Sequence, residues 1–391
     1  MEQQSIEQFI AKDLHNLLYL EEFVYPSSKF SPRGRSEVEL ADAVVVLHRH
    51  LLIFQIKERS VDAPVGSDSE QKWFEKKVVK QATRQIRDTL RFLSYEDDIP
   101  ATNGRGRSDN LAARNWHSIT RIIVYRNDRE MPSVCDEIRH YVSAEGGFIH
   151  IIKFEDYVRL TEFLRVPEEI RLYFEYREYL ISSHPKQCGN LPEACLVAGF
   201  LNPDDQDLPD RDSYRHLHSV LDDEESWNLI PLLSGIHDHE VREQFSADHY
   251  RILEQFIRLP RSMWREIKIR FELSVEKVSN DEFVLPYRVS DPERDVGFVL
   301  VPMTSKHSAR DDWADLKVRA LVNMTELHKF DQKLQTCVGI LVGKIGDVFD
   351  IDWCLVDRDW AEDKELRRKL DENYPFRPVA PATKYGFFSQ S

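Results

Sequence analysis

The most constraining feature of this sequence is a pair of β-branched and aliphatic runs separated by three polar residues. Residues 44–47 form the first run, and residues 51–56 form the second, interrupted only by Gln55. Runs of this kind are typical of buried β-strands. The intervening residues 48–50 (HRH) are few and polar enough to make a turn. The pattern therefore predicts an antiparallel β-hairpin.

Polar side chains stand where the two predicted strands would meet. Asp42 precedes the first strand, whereas Gln55 and Lys57 lie at the end of the second. Because side chains alternate along a strand, Gln55 and Lys57 leave the same face and Ile56 leaves the other. We expect a carboxylate, an amide oxygen and a lysine to converge at one edge of a sheet. Such a set can hold a hard cation through oxygen atoms and stabilise a phosphate.

This arrangement resembles the catalytic core of the PD-(D/E)XK nuclease superfamily, in the variant with Gln at the second acidic position found in Mrr-like restriction endonucleases. The resemblance covers about the first 180 residues. It implies that Asp42 is the metal-binding acid, Gln55 the second metal-side residue and Lys57 the lysine of the motif. Glu39 resembles an additional metal-binding acid of some branches. The implied cofactor is Mg²⁺, with Mn²⁺ as a substitute.

Gln55 departs from the commoner acidic residue, because an amide contributes an oxygen but no charge. The departure predicts weaker metal binding. The alternative interpretation is an ordinary buried hairpin with charged residues at its ends.

A first helix is predicted from Ser5 to about Leu20 by apolar residues at helical spacing, with Ser5 as its cap. Glu7 lies on the polar side of this helix. In many nuclease-like folds an acid on the first helix approaches the metal. Because residues on a polar helical face are more often solvated, we expect Glu7 to be solvated.

A second long helix is predicted over residues 70–94, with one apolar stripe and one cationic stripe. The cationic stripe consists of Lys72, Lys76, Lys80, Arg84, Arg87 and Arg91. Steps of three and four residues place side chains on one helical face, about 6 Å apart along the axis for each step of four. A row of positive charges suits a phosphate backbone. The alternative is a solvated lysine-rich face. The resemblance also implies that Gln85, on the same helix, faces the active site.

The remaining pattern predicts an α/β fold in two parts. We expect a nuclease-like domain over residues 1–185, with a restriction-endonuclease-like mixed sheet flanked by helices, then a linker over 186–212. Residues 213–391 are predicted to form a second α/β domain of unknown role. In detail, residues 132–143 are predicted to be a helix and 283–287 a strand.

Composition places limits on these interpretations. The net charge is −15, yet residues 71–130 contain 13 Lys and Arg against 8 Asp and Glu, so a local cationic surface is available. No apolar run approaches the roughly 18 residues of a membrane span. The five cysteines are scattered, as in reduced cytosolic proteins. We therefore expect a cytoplasmic protein that does not bind membranes.

Two functions are compatible with the sequence. The first is a metal-dependent endonuclease that hydrolyses DNA, in a role such as bacterial restriction or antiphage defence, with a second copy of the chain or a defence-system protein as a further partner. The second is a non-catalytic nucleic-acid-binding or sensor component built on a nuclease-like scaffold.

Overall fold

The computed structural model describes residues 5–33, 36–112, 116–202, 208–217, 224–238 and 248–377. The chain divides into two compact units, with the boundary between residues 221 and 222. Each unit contains its own mixed β-sheet with helices, which confirms the predicted α/β class and the separate C-terminal α/β unit.

The first unit is built from the following elements. Its strands are β1 (Val24–Pro26), β2 (Lys29–Phe30), β3 (Val38–Glu39), β4 (Ala43–Leu47), β5 (His50–Glu58), β6 (Pro100–Thr102), β7 (Ser108–Asn110), β8 (Ser118–Arg126), β9 (His140–Ser143) and β10 (Gly147–Lys153). Its shorter or later helices are α3 (Ser133–Asp136), α4 (Phe154–Phe163), α5 (Pro167–Ser183), α6 (Pro185–Cys188) and α7 (Glu193–Leu201). Short 3₁₀ turns span Glu21–Phe23 and Ser213–His216.

Two helices of this unit change their hydrogen-bonding pattern along their length. Helix α1 consists of an α segment Ile6–Gln8, a π segment Phe9–Leu14 and an α segment His15–Tyr19. Helix α2 consists of an α segment Ser67–Trp73, a π segment Phe74–Ala82 and an α segment Thr83–Tyr95. Both helices were predicted from the sequence, but their π segments were not.

The main sheet of the first unit has the order β1-β4-β5-β8-β10-β9. Strand β4 pairs antiparallel with both β1 and β5, whereas β5, β8 and β10 run parallel. The outer strand β9 pairs antiparallel with β10 through a turn that contains Gly146 and Gly147. The predicted helix at 132–143 is therefore wrong after Asp136, because residues 140–143 form this edge strand instead.

Helix α2 covers one face of this sheet. Its buried side chains include Phe74, Val78, Ala82 and Ile86, which pack with Ile123 and neighbouring apolar residues of β8 and β10. The C-terminal turns of α2 pack against a second cluster that contains Val44 and Ile53 of the hairpin. Helix α1 lies on the opposite face, where the ring of His15 contacts Phe54 at 4.3 Å between centroids.

The described part of the predicted linker 186–212 is packed structure, and residues 203–207 lie outside the described residues. Helix α7 falls within this range and carries the buried carboxylate of Glu193. Glu193 accepts a hydrogen bond from Arg177 Nε at 2.7 Å and also contacts Arg139 and Tyr173. Because Arg177 is fully buried on α5, this network attaches α7 to the earlier part of the unit.

The second unit contains a sheet with the order β11-β12-β13-β14. Its strands are β11 (Tyr287–Asp291), β12 (Val296–Pro302), β13 (Thr336–Ile345) and β14 (Val348–Asp357). Its helices are α8 (Glu224–Trp227), α9 (Ile230–Ser234), α10 (Asp248–Ile257), α11 (Arg261–Ser279), α12 (Ser305–Ser308), α13 (Trp313–Gln332) and α14 (Lys364–Glu372), with a 3₁₀ turn at Gly235–Asp238.

Strand β11 begins later than the predicted strand 283–287, because Pro286 lacks the N–H that a strand interior needs. Strands β13 and β14 form a long hairpin whose turn is Gly346–Asp347, with Gly346 at a φ of +60°. Within the part of the chain that the structure describes, no helix combines the length and apolar character needed to cross a bilayer.

Candidate metal centre

The hairpin of β4 and β5 fixes the position of the candidate site. Ala43 pairs with Phe54 and Leu47 pairs with His50, so Asp42 comes opposite Gln55. The turn consists of His48 and Arg49 alone, since His50 already belongs to β5. Asp42, Gln55 and Lys57 therefore share the sheet face that α2 covers.

The structure brings Asp42, Gln55 and Lys57 into direct contact. Lys57 Nζ donates to Asp42 Oδ2 and to Gln55 Oε1, both at 3.1 Å, and to the carbonyl oxygen of Ile56 at 3.0 Å. Asp42 Oδ2 also accepts the backbone N–H of Ile56 at 2.5 Å. Asp42 and Gln55 are 4 % and 2 % exposed. Each of the three side chains is thus fixed by at least one neighbour.

Two further carboxylates complete the cluster. Carboxylate oxygens of Glu7, Glu39 and Asp42 all lie within 4.8 Å of one another. Glu39 was predicted from the sequence. Glu7 was expected to be solvated, and it is partly exposed to solvent but also lies beside the other two acids. Three carboxylates therefore lie close together, and one of them, Asp42, is paired with the ammonium group of Lys57.

The start of α1 explains how Glu7 reaches the cluster. Ser5 caps the helix by accepting the N–H of Gln8 at 3.3 Å, and the N–H of Ile6 donates to Glu58 at the end of β5 at 3.3 Å. These contacts hold the first turn of α1 over the end of β5, where Lys57 lies. Glu7 could be identified in the sequence as an acid on α1, but the packing of α1 against the end of β5 could not be predicted.

Electrostatics in the cluster favour a bound cation. Burial raises the pKa of Glu7, and the negative charges of Asp42 and Glu39 raise it further, against a lowering by Lys57. Burial and the charge of Asp42 likewise raise the pKa of Glu39, against lowering by Lys29, Lys57 and a hydrogen bond from Ser27. Each acid is thus harder to ionise than an exposed one, first because it is partly buried and second because other carboxylates lie close to it. A divalent cation would relieve that repulsion.

Gln55 contributes differently from the three acids. Its amide oxygen already accepts a hydrogen bond from Lys57, so it is a neutral oxygen beside the carboxylates. Among the predicted metal ligands, Asp42 and Glu39 supply charge, whereas Gln55 supplies only a dipole. The additional charge comes from Glu7 on α1.

The C-terminal turns of α2 approach the same region of the sheet. Thr89 Oγ1 donates to the carbonyl oxygen of Leu40, the residue after Glu39, and also to that of Gln85. Gln85 therefore lies one helical turn from a contact with the segment that carries Glu39. Its amide oxygen is buried and has no hydrogen-bond partner among the described residues.

The cationic stripe of α2 divides into two parts. Lys72, Lys76, Lys80 and Arg84 are exposed. Arg87 lies 3.8 Å from Glu145, and Arg91 pairs with Asp88 at 2.9 Å. The contact of Arg87 with Glu145 was not predicted, because Glu145 follows β9, more than fifty positions further along the chain. Only the first four cations are left without an acidic partner within the described part of the unit.

Comparisons of the chain with family models, with curated proteins and with solved structures gave no match. The geometry of the Glu7/Glu39/Asp42/Lys57 cluster is what supports a functional proposal.

Proposed function

We propose that this protein is a metal-dependent nuclease that hydrolyses phosphodiester bonds of DNA. The observation that supports this proposal is the convergence of three carboxylates within 4.8 Å, directly beside the ammonium of Lys57. Carboxylate oxygens are the ligands that Mg²⁺ prefers, and Mn²⁺ accepts the same donors. A lysine at the edge of such a cluster is placed to contact a phosphate.

The donor set fits a divalent cation. Asp42, Glu39 and Glu7 would hold Mg²⁺ through charged oxygens, with Gln55 as a neutral fourth donor. The raised pKa of Glu7 and of Glu39 is compatible with this fit: burial is its main cause, and the neighbouring carboxylates add to it. When bound, the cation would act as a Lewis acid and lower the pKa of a coordinated water.

The protein's own residues would bind and orient the substrate. Lys57 can donate a hydrogen bond to a phosphate oxygen and so stabilise the negative charge that develops during hydrolysis. Its ammonium is oriented by Asp42, Gln55 and the carbonyl oxygen of Ile56. Asp42 in turn is held by the N–H of Ile56, so the pair has a fixed geometry before substrate arrives.

A polyanionic substrate also needs a cationic surface, since the carboxylate cluster itself repels phosphate. The exposed cations of α2 would supply that surface: α2 covers the sheet face that carries Lys57, and these cations lie on the outer side of the helix. A cytoplasmic role in restriction or antiphage defence, with DNA as substrate and a second copy or a defence protein as partner, extends the proposal by resemblance.

A non-catalytic binding or sensor role is the second candidate. It is favoured by the neutral Gln55 and by the ion pair of Lys57 with Asp42, which together lower the charge available for a metal. The change Gln55→Glu separates the two candidates, because it restores a charged oxygen without altering the chain elsewhere.

Cleavage of circular single-stranded DNA and of supercoiled plasmid DNA by the purified protein tests the proposal, in Mg²⁺, in Mn²⁺ and in EDTA. We expect cleavage in either metal, loss of cleavage in Lys57→Ala, and retained cleavage in Gln55→Glu. Lys12→Ala, an exposed change on α1 outside the cluster, serves as the control. If the wild type fails to cleave DNA in the presence of either divalent metal, and Gln55→Glu restores no cleavage, the catalytic proposal is overturned in favour of the binding role.

A further inference from the structure

The unpaired cations of α2 occur at an unusual spacing for an α-helix. Lys72, Lys76, Lys80 and Arg84 follow one another at steps of four residues. In an α-helix a step of four overshoots a full turn by about 40°. Three such steps would carry Arg84 roughly a third of a turn away from Lys72, so a regular α-helix would not keep the four on one line.

The π segment of α2 changes this geometry. It spans Phe74–Ala82 and therefore contains both Lys76 and Lys80. Its i→i+5 hydrogen bonds make a wider turn, in which four residues fall short of a full rotation. The overshoot in the α segments and the shortfall in the π segment have opposite signs. The four side chains consequently stay close to a straight line along the helix.

The buried side of α2 gives independent support for this straightening. Phe74, Val78, Ala82 and Ile86 also follow one another at steps of four, and all are fully buried. They pack on the same sheet in one continuous cluster. A buried face can itself be about 100° or more wide, so this stripe does not require the drift to be cancelled, but its confinement to one face agrees with the alignment inferred for the cations.

The row also has a defined end. Arg87 contacts Glu145 and Arg91 pairs with Asp88, so positive charge beyond Arg84 is partly neutralised. At the α-helical rise the row from Lys72 to Arg84 would extend about 18 Å, with a charge roughly every 6 Å, and the wider turns of the π segment shorten it.

We propose that Lys72, Lys76, Lys80 and Arg84 form a straight track for one extended single strand of nucleic acid, with one phosphate at each cation. This inference rests on the proposed nuclease function and names the form of its substrate. In duplex DNA, phosphates of one strand advance only about 3.4 Å along the axis and wind around it, so a straight row soon loses contact with that strand. An extended strand can follow the row over its whole length.

The salt dependence of binding tests the track. A fluorescein-labelled oligothymidylate and a duplex of the same length are titrated in EDTA at several NaCl concentrations, and binding is measured by fluorescence anisotropy. For the single strand, Lys76→Gln combined with Lys80→Gln should reduce the slope of log K against log [NaCl] by about 1.4, because each lost phosphate contact accounts for about 0.7.

A matched double variant controls for loss of charge alone. Lys12→Gln combined with Lys77→Gln removes the same charge from exposed lysines outside the row, one of them on the π segment itself. Its slope should change by less than about 0.3, since neither residue is on the track. Thermal melting verifies that both variants fold, and Lys72→Gln combined with Arg84→Gln replaces the first variant if it does not.

Equal slope changes in the two double variants would overturn the track. A slope loss for the duplex as large as for the single strand would overturn the assignment to an extended strand. Because binding is measured in EDTA, these results are separate from cleavage. If the slopes change as expected but the protein never cleaves DNA, the nuclease proposal alone is contradicted. If the protein cleaves DNA but the two double variants have equal slope changes, this inference alone is contradicted.

Discussion

The two units of this protein each contain a lysine–aspartate ion pair beside a β-hairpin, and the two pairs differ in their surroundings. In the first unit Lys57 Nζ lies 3.1 Å from Asp42. In the second unit Lys317 Nζ lies 3.0 Å from Asp350 and 2.6 Å from Asp352, both on β14. The ion-pair distances alone do not distinguish a functional site from a structural one.

The balance of charge and hydrogen bonds does distinguish them. Burial works to lower the pKa of Lys317, but its bonds to Asp352 and Asp350 outweigh that effect and raise it. Asp350 also accepts a hydrogen bond from Trp313 Nε1 at 3.2 Å. Around Lys57, by contrast, Glu7 and Glu39 add negative charge, and their own pKa values are raised. Surplus carboxylate charge, rather than an ion pair, marks a candidate cation site.

The largest effect that tests this contrast is the loss of cleavage in Asp42→Asn. The amide keeps the shape of the side chain but removes the central negative charge, which should lower the cleavage rate by about 1,000-fold or more. The same change in the second unit, Asp350→Asn, should leave the rate within about twofold. Rates come from plasmid cleavage in Mg²⁺, and equal losses in both variants would remove the distinction between the two pairs.

A smaller effect is expected for metal affinity in Glu7→Gln. Mn²⁺ binding, measured by isothermal titration calorimetry, should weaken by about tenfold near neutral pH, because the cluster loses one of its charged oxygens. Asp13→Asn, an exposed change on the same helix, should leave the affinity unchanged.

The pH dependence of that affinity has a definite sign. Because the pKa values of Glu7 and Glu39 are raised, these acids bind protons at a higher pH than exposed carboxyls do. Protons then compete with the metal, so wild-type affinity should fall as the pH is lowered, and the fall should begin at a higher pH than exposed carboxyl ligands would give. Glu7→Gln should show a flatter profile. A profile for Glu7→Gln that is the same as that of the wild type would contradict the assignment of Glu7 as a ligand.

The smallest effect concerns the structural pair. Lys317→Met leaves Asp350 and Asp352 without their cation and should lower the free energy of unfolding by about 1–2 kcal/mol, less than for a fully buried pair. Urea unfolding followed by tryptophan fluorescence measures the change, with the exposed Lys306→Met as control. Cleavage should be unaffected, and a loss of activity would show that the second unit contributes to the reaction.

The sequence was sufficient to predict the hairpin and the meeting of Asp42, Gln55 and Lys57. Local information determined these features, since the apolar runs, the short turn and the alternation of side chains fix the register. The strand at residues 140–143 was missed, although the two glycines that follow it, with Gly147 at a φ of +64°, are a turn signal.

Glu7 and Glu145 could not be placed from the sequence because each acts through a contact with a distant part of the chain. Glu7 reaches Asp42 only through the packing of α1 over the end of β5. Glu145 reaches Arg87 only because the β9–β10 turn lies near α2. The π segment of α2 was also not predicted, because the spacing of its apolar and cationic residues was interpreted with α-helical geometry alone.

The buried network around Glu193 determines the smallest piece of the chain that could carry the Glu7/Glu39/Asp42 carboxylate cluster on its own. A polypeptide ended at residue 185 would keep Arg177 and Arg139 but lose the carboxylate that neutralises both. Leaving such a charge buried without its partner costs several kcal/mol, about 3–5 in comparable cases. His150 lies beside Arg177, at 3.1 Å between Nδ1 and Nη1, but an imidazole carries no negative charge that could replace the carboxylate. A fragment that carries the carboxylate cluster and folds by itself must therefore retain α7.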